Sequence, residues 1–471
     1  MKLLFVTSEL APLHSTGGLA YVSQSYPRQL RGAGVDARVL APCVPAVHTR
    51  LGTLPECLRL DFELGGRRIT GRVLEWREPE GGNWVYWVDL PEFFARERLY
   101  GHADEALRWV AFNHAALELL RAGVFAPHLL HGNDWFCGAL LHALRQEAGW
   151  RGKTVLSIRN LRYQGVFPAT QAAELGLDWP TLCAAGLDFY GQLNLLRLGL
   201  RAADLLLTSS PSYAQEIQQL DHDPLSPELA ARGAALQGVL EGLDLSLDNP
   251  ETDPRLACCY GRAEAAAGKA ANKRALQAAL GWPDAPQRPL LAWINRLTSQ
   301  KGVDLLRLAL GQGLLAEDLQ LMLCADGDPL YEREFRELAA AHPAQLVYRP
   351  YDEALAYRLY AASDLYLMPS TYEPGGIAQL IAMRYGSLPL VRATGGLRDT
   401  VQPYDPASGT GTGFSFDYRN AWLMLQRLRE ALALYRQQPE TWARLRQQAM
   451  QHDCSWAGPL ARSLQLYRSL L

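Results

Sequence analysis

At 471 residues the chain is too long for one hydrophobic core, and two large domains or three smaller ones are expected. An apolar fraction of 48% with 20% charged residues is that of a globular protein and excludes disordered and fibrous classes. The formal net charge of -3 lacks the Lys and Arg excess of a general nucleic-acid binder, so a small molecule or a neutral polymer is the expected partner.

The chain opens on an apolar run at residues 3–6 that Thr7, Ser8 and Glu9 break at once. It is too short for a secretion signal or a membrane span, which points to the cytoplasm. Apolar runs at 3–7, 37–40, 129–130, 155–158 and 205–208 read as buried strands of the first half. Those at 290–294, 319–323, 346–348, 365–368 and 388–391 read as strands of the second. Helical patterns lie between them, including 20–31 and the Ala-rich 263–280, and 430–471 is helical by pattern. Continuous apolar runs alternating with helices predict an α/β protein with two doubly wound parallel sheets. A turn-rich segment at 248–254 and the punctuation at 281–286 put the domain boundary between Gly242 and Pro289. The eight cysteines (Cys43, Cys57, Cys137, Cys183, Cys258, Cys259, Cys324, Cys454) form no C-x-x-C pair, and no H-x-x-x-H or H-E-x-x-H run accompanies them. They read as reduced thiols, with no metal site.

In open α/β sheets, ligands bind outside the carboxyl ends of the strands, so the residues after each run carry the information. Ser15-Thr16-Gly17-Gly18-Leu19 precedes a helix whose amides and positive end suit an anion. Arg296 and Lys301, five residues apart after the strand at 290–294, suit a diphosphate. Glu373, followed by Pro374, Gly375 and Gly376 after the strand at 365–368, is placed to face a cleft, and Thr394-Gly395-Gly396 repeats the strand, turn and helix pattern. Asp326-Gly327-Asp328 has the D-x-D spacing of metal-dependent transferases, but its place after a strand of the second half reads as a turn.

Taken in order, Gly17-Gly18-Leu19, Tyr100-Gly101, Asp134-Trp135, Asn160-Leu161-x-Tyr163-Gln164-Gly165, Asn272-Lys273, Arg296-Leu-Thr-x-Gln-Lys301-Gly302, Gly327-Asp328, Glu373-Pro374-x-Gly376, Thr394-Gly-Gly-Leu-x-Asp-Thr-Val401 and Ser455-Trp456 resemble the bacterial glycogen (starch) synthase family over nearly the whole chain. The resemblance implies the GT-B architecture, two Rossmann-like domains across a cleft: an acceptor-side domain at 1–245, a donor-side domain at 246–455, and a last helix at 456–471 crossing back to the first domain. It implies transfer of glucose from ADP-glucose to the non-reducing end of an α-1,4-glucan, with retention and without metal or cofactor. Neither a nucleic-acid nor a membrane partner is implied, and oligomeric state is not specified. By the same resemblance the catalytic set is Glu373, Asp134, Arg296 and Lys301. Arg296 and Lys301 match the cations on the donor diphosphate, Glu373 the carboxylate beside the donor sugar, and Asp134 the acid near the reacting sugar. The substrate-binding set is Ser15, Thr16, Gly17, Gly18, Arg159, Asn160, Gln164, Tyr351 (on the nucleobase), Tyr372, Gly376, Thr394 and Gly395.

The first half departs from the family pattern. Ser15 stands where the family has Lys, Tyr21 where it has Asp, Asn133 and Arg159 where it has His, and Glu241 where it has Asn. These departures motivate a second reading, a catalytically impaired relative that binds glucan or nucleotide in a regulatory role.

Overall fold

Short apolar segments bounded by turns bury both faces only inside a sheet that helices cover on both sides. The computed structural model describes residues 1–221 and 223–471 and contains two such sheets. The chain divides into two compact units, Met1–Ser209 with Ala214–Val239 and Trp456–Leu471, and Ser210–Tyr213 with Leu240–Ser455.

In the first unit the strands are β1 (Lys2–Val6), β2 (Asp36–Pro42), β3 (Glu56–Leu64), β4 (Arg67–Arg77), β5 (Trp84–Asp89), β6 (Leu129–Asn133), β7 (Lys153–Ile158), β8 (Val166–Pro168), β9 (Gln192–Asn194), β10 (Leu205–Thr208) and β11 (Leu236–Gly238). Nine of them form one sheet in the order β11-β10-β7-β6-β1-β2-β5-β4-β3, and β8 pairs with β9 separately. The expected strands are present and parallel, with Leu3 opposite Leu129 and Val6 opposite Gly132. The sheet is mixed, however: β3 and β4 are antiparallel additions at one edge. They contain no continuous apolar run. Leu60, Leu64, Ile69 and Val73 are buried among charged residues, the pattern of strands wetted on one face.

The last helix, Ala457–Leu470, belongs to this unit. Its Tyr467 is fully buried and its hydroxyl lies 2.8 Å from the Tyr26 hydroxyl and 2.7 Å from His131 Nδ1. His131 Nε2 lies 2.6 Å from Ser157 Oγ, so the chain of contacts runs from the C-terminal helix to the ends of β6 and β7. Burial, and the charge of Arg159, hold this imidazole well below its usual pKa.

The second unit contains β12 (Leu290–Ile294), β13 (Gln320–Cys324), β14 (Leu346–Arg349), β15 (Leu365–Met368), β16 (Leu388–Arg392) and β17 (Phe414–Phe416), all parallel, in the order β14-β13-β12-β15-β16-β17. The helix Ala265–Ala279 buries two lysines. Lys269 Nζ donates to the carbonyls of Tyr360, Ala361 and Tyr385, and Lys273 pairs with Asp364 at 2.7 Å. The family-like Asn272 accepts from the Ala257 and Cys258 amides, which is a structural task. Among the described residues no helix is long and apolar enough to cross a membrane.

Candidate functional site

Strand order fixes where each sheet can open. In the first, the chain runs from β1 to β2 on one side and returns to β6 on the other. In the second, β12 is flanked by β13 and β15. A crevice forms where connections leave in opposite directions, outside the carboxyl ends. The residues at those positions are 7–18 and 134 in the first unit, and 295–302 and 369–376 in the second.

In the first unit the residue that organises the β1 exit is Glu9, which the sequence reading passed over as the end of an apolar run. Glu9 is 4% exposed. It accepts from the Thr16 amide at 2.7 Å, the Gly17 amide at 3.2 Å, the Thr16 hydroxyl at 2.6 Å and the Tyr100 hydroxyl at 2.8 Å. Burial and the adjacent Glu9 charge push the Tyr100 phenol well above its usual pKa, so it remains a donor. The anion at this turn is therefore the chain's own carboxylate for two of the expected amides. Ser15, Thr16, Gly17 and Gly18 are all exposed, and a Cβ on either glycine would meet nothing within 4 Å. Neither glycine is demanded by packing, so the absent side chains leave open space before the helix Gly18–Gly32.

Asp134, 8% exposed, follows β6 with φ 56°, a backbone conformation costly for a residue with a Cβ. Its carboxylate accepts from the Arg159 amide at 2.7 Å. Burial nevertheless dominates, and its pKa is pushed up to about 7. Strain and a neutral-range acid at a strand exit are marks of a functional carboxyl. Arg159 Nε donates to Asn133 Oδ1 at 3.2 Å, and Asn133 Nδ2 donates to the Val6 carbonyl. Two of the departures from the family pattern thus contact each other. Asn160 accepts from the Arg162 amide in a tight turn. Gln164 Nε2 lies 3.1 and 3.0 Å from the two oxygens of Asp223, and Oε1 accepts from Asn194. Both ends of its amide serve the local frame.

In the second unit Glu373, 5% exposed, lies 2.6 Å from Lys301 Nζ and accepts from Ser370 Oγ at 2.9 Å. Three turns meet there. A Cβ at Gly302 (φ 79°) would lie 2.3 Å from the Pro369 carbonyl oxygen, and one at Gly395 (φ 45°) 2.0 Å from that of Glu373. The Gly396 amide donates to the same Glu373 carbonyl at 2.9 Å. Arg392 braces the loop by donating to the Ser370 carbonyl at 2.7 Å and to that of Thr371. Thr394 occupies the N-cap position of the helix Gly395–Thr400. Gly376 has φ 85°, and Gln379 Nε2 donates to its carbonyl at 2.7 Å. Tyr372 is half-buried on the same loop. Arg296 stands exposed on the turn that ends at Lys301. Tyr351 is 52% exposed after β14, its amide donating to Asp326 Oδ1 at 3.0 Å. Asp328 caps the helix Pro329–Ala341, so both carboxylates of the D-x-D sequence serve turns. The second unit therefore gathers Glu373, Lys301, Ser370, Gly376, Thr394 and Gly395. The site thus combines a buried carboxylate, an ammonium paired with it and an exposed guanidinium on the adjoining turn.

Comparison with known proteins adds independent findings. Residues 2–241 match the starch synthase catalytic domain family, and residues 281–452 match glycosyl transferases group 1. The chain is 39% identical to a glycogen synthase of Geobacillus thermodenitrificans over 480 residues, covering 100% of this chain and 98% of the relative. It is 41% identical to a glycogen synthase of Syntrophotalea carbinolica, covering 99% and 98%. Its fold superposes with a TM-score of 0.90 on the catalytic domain of Arabidopsis thaliana starch synthase IV, solved with ADP and acarbose, at 28% identity and covering 99% and 98% of the two chains.

Proposed function

The chain belongs to the glycogen and starch synthase family of GT-B glycosyltransferases, and from that premise we propose that it transfers glucose from ADP-glucose to the non-reducing end of an α-1,4-glucan with retention. The observation that carries this reading is the Lys301–Glu373 pair, held by glycine-dependent turns at the switch point of the second sheet, with Arg296 exposed on the turn that leads to Lys301.

The roles follow from charge. Breaking the donor's glycosidic bond leaves negative charge on the diphosphate and an oxocarbenium-like sugar. Arg296 and Lys301 are the cations that stabilise the first, fixed before the reaction begins. Glu373 is the carboxylate beside the second. Its pairing with Lys301 means that an arriving diphosphate shares the ammonium with Glu373. Tyr351 offers a ring to the base, and Thr394, Gly395, Gly376 and Tyr372 line the approach of phosphate and sugar. In the first unit we assign Asp134 to the reacting sugar, and the open turn at Ser15–Gly18, with Arg159 and Asn160, to substrate contact. The Arg159–Asn133 contact supports activity rather than decay, because one departure from the family pattern accommodates the other.

The test is incorporation of labelled glucose into glycogen by the purified protein, with ADP-glucose and UDP-glucose compared as donors. Incorporation from ADP-glucose that Glu373→Ala abolishes is the expected result. A folded wild-type protein that binds ADP or glucan without incorporation would establish the regulatory reading instead.

A further inference from the structure

Cys43, His48 and Asp89, none of them assigned to transfer, meet in the first unit at the carboxyl ends of β2 and β5. Cys43 directly follows β2, and its amide donates to the Val88 carbonyl at 2.9 Å. Asp89 ends β5. His48 lies on the short helix Pro45–Leu51, five residues beyond Cys43. Cys43 and Asp89 are buried, whereas the His48 side chain is 42% exposed.

The distances have the dimensions of a coordination shell. Cys43 Sγ lies 3.4 Å from His48 Nε2, and His48 Nε2 lies 3.7 Å from Asp89 Oδ2. All three ligand atoms lie within 4.8 Å of one another. Ligands at about 2.0–2.3 Å from a tetrahedral zinc ion stand roughly 3.3–3.8 Å apart, so little movement is required. Arg72 Nε donates to Asp89 Oδ2 at 2.8 Å, the kind of outer contact that orients a ligating carboxylate. Among the described residues no other three such groups converge in this way.

We propose that Cys43, His48 and Asp89 bind one divalent transition-metal ion of zinc type, with solvent at the fourth position on the His48 side. Thiolate, imidazole and carboxylate together favour a borderline ion such as Zn2+ over Mg2+ or Ca2+. On binding, the Cys43 S–H bond breaks, a sulfur–metal bond forms and the proton leaves to solvent. Thiolate and carboxylate then balance the dication. The bound ion ties the helix Pro45–Leu51 to the ends of two strands. Arg50 of that helix donates to the Pro12 carbonyl, in the loop that leads to Ser15–Gly18.

The experiment is titration of the chelator-treated full chain with Co2+, read by the thiolate-to-cobalt charge-transfer absorption, followed by Zn2+. The expected result is one Co2+ per chain, displaced by one equivalent of Zn2+. Cys43→Ser should remove the absorption, while a Cys258→Ser/Cys259→Ser double variant, which lacks the exposed adjacent thiols, should retain it. If Cys43→Ser fails to fold, His48→Ala at the exposed ligand serves instead. It should weaken Co2+ binding at least tenfold and remove the rise in melting temperature that Zn2+ gives the wild type. Absence of the band, or a band that survives Cys43→Ser or His48→Ala and disappears with Cys258 and Cys259, would overturn the proposal.

Discussion

Asp134 illustrates how one residue couples burial, strain and protonation. Its folded pKa of about 7 lies above the ordinary carboxyl value of about 3.9. Between those values the folded state binds more protons than the unfolded state, so this group's contribution to stability is full below pH 4 and falls as pH rises to 7. The loss is at most about 4 kcal/mol. Asp134→Asn should therefore raise the melting temperature at pH 8 and change it little at pH 4, as thermal unfolding at the two pH values would reveal. Lys301 poses the opposite problem. Its loss leaves Glu373 buried with Ser370 as its remaining side-chain donor, and stranding a buried charge costs about 3–5 kcal/mol. Lys301→Ala should lower stability more than Glu373→Gln does, because a lone lysine can extend toward solvent. The double variant should regain part of the loss in a denaturant titration.

At the scale of elements, the glycine turns divide into two kinds. Gly395 has a positive φ, and any Cβ there would collide with the Glu373 backbone. Gly17 has φ -173°, ordinary extended backbone, with open space where its Cβ would be. Gly395→Ala should therefore lower both the melting temperature and activity, whereas Gly17→Ala should retain the melting temperature and lower kcat/KM for transfer. Equal stability losses in the two variants would remove the argument that ligand approach, and not packing, requires Gly17. In sequence the two turns look alike, each a strand followed by small residues and a helix. The edge strands Glu56–Leu64 and Arg67–Arg77 were missed for a related reason: with charged residues on their wet face, they contain no apolar run to find.

At the scale of the molecule, the last helix belongs with the strands at the start of the chain, not with its neighbours in sequence. The buried Tyr26–Tyr467–His131–Ser157 contacts carry that attachment. Truncation before Trp456 should weaken hydrogen-exchange protection in β1 and β6 while β12 to β16 retain theirs, since the second sheet makes up its core without that helix. Uniform loss across both sheets would show instead that the two units unfold as one.

The sequence by itself determined the two α/β sheets and their principal strands. It also determined the turns that carry Asp134, Arg296, Lys301, Glu373 and Gly395. Apolar runs, glycines and their alternation with helices are local patterns, and they specify local structure. Only the tertiary structure decided which groups meet. Glu9 takes the amides of Thr16 and Gly17, Arg159 contacts Asn133, Gln164 is spent on Asp223 and Asn194, and Cys43 and His48 come to Asp89. These partners are separated along the chain by as few as five residues or by dozens. Strand order and the paths of the loops bring them within 4.8 Å or closer, and no spacing in the sequence encodes that distance.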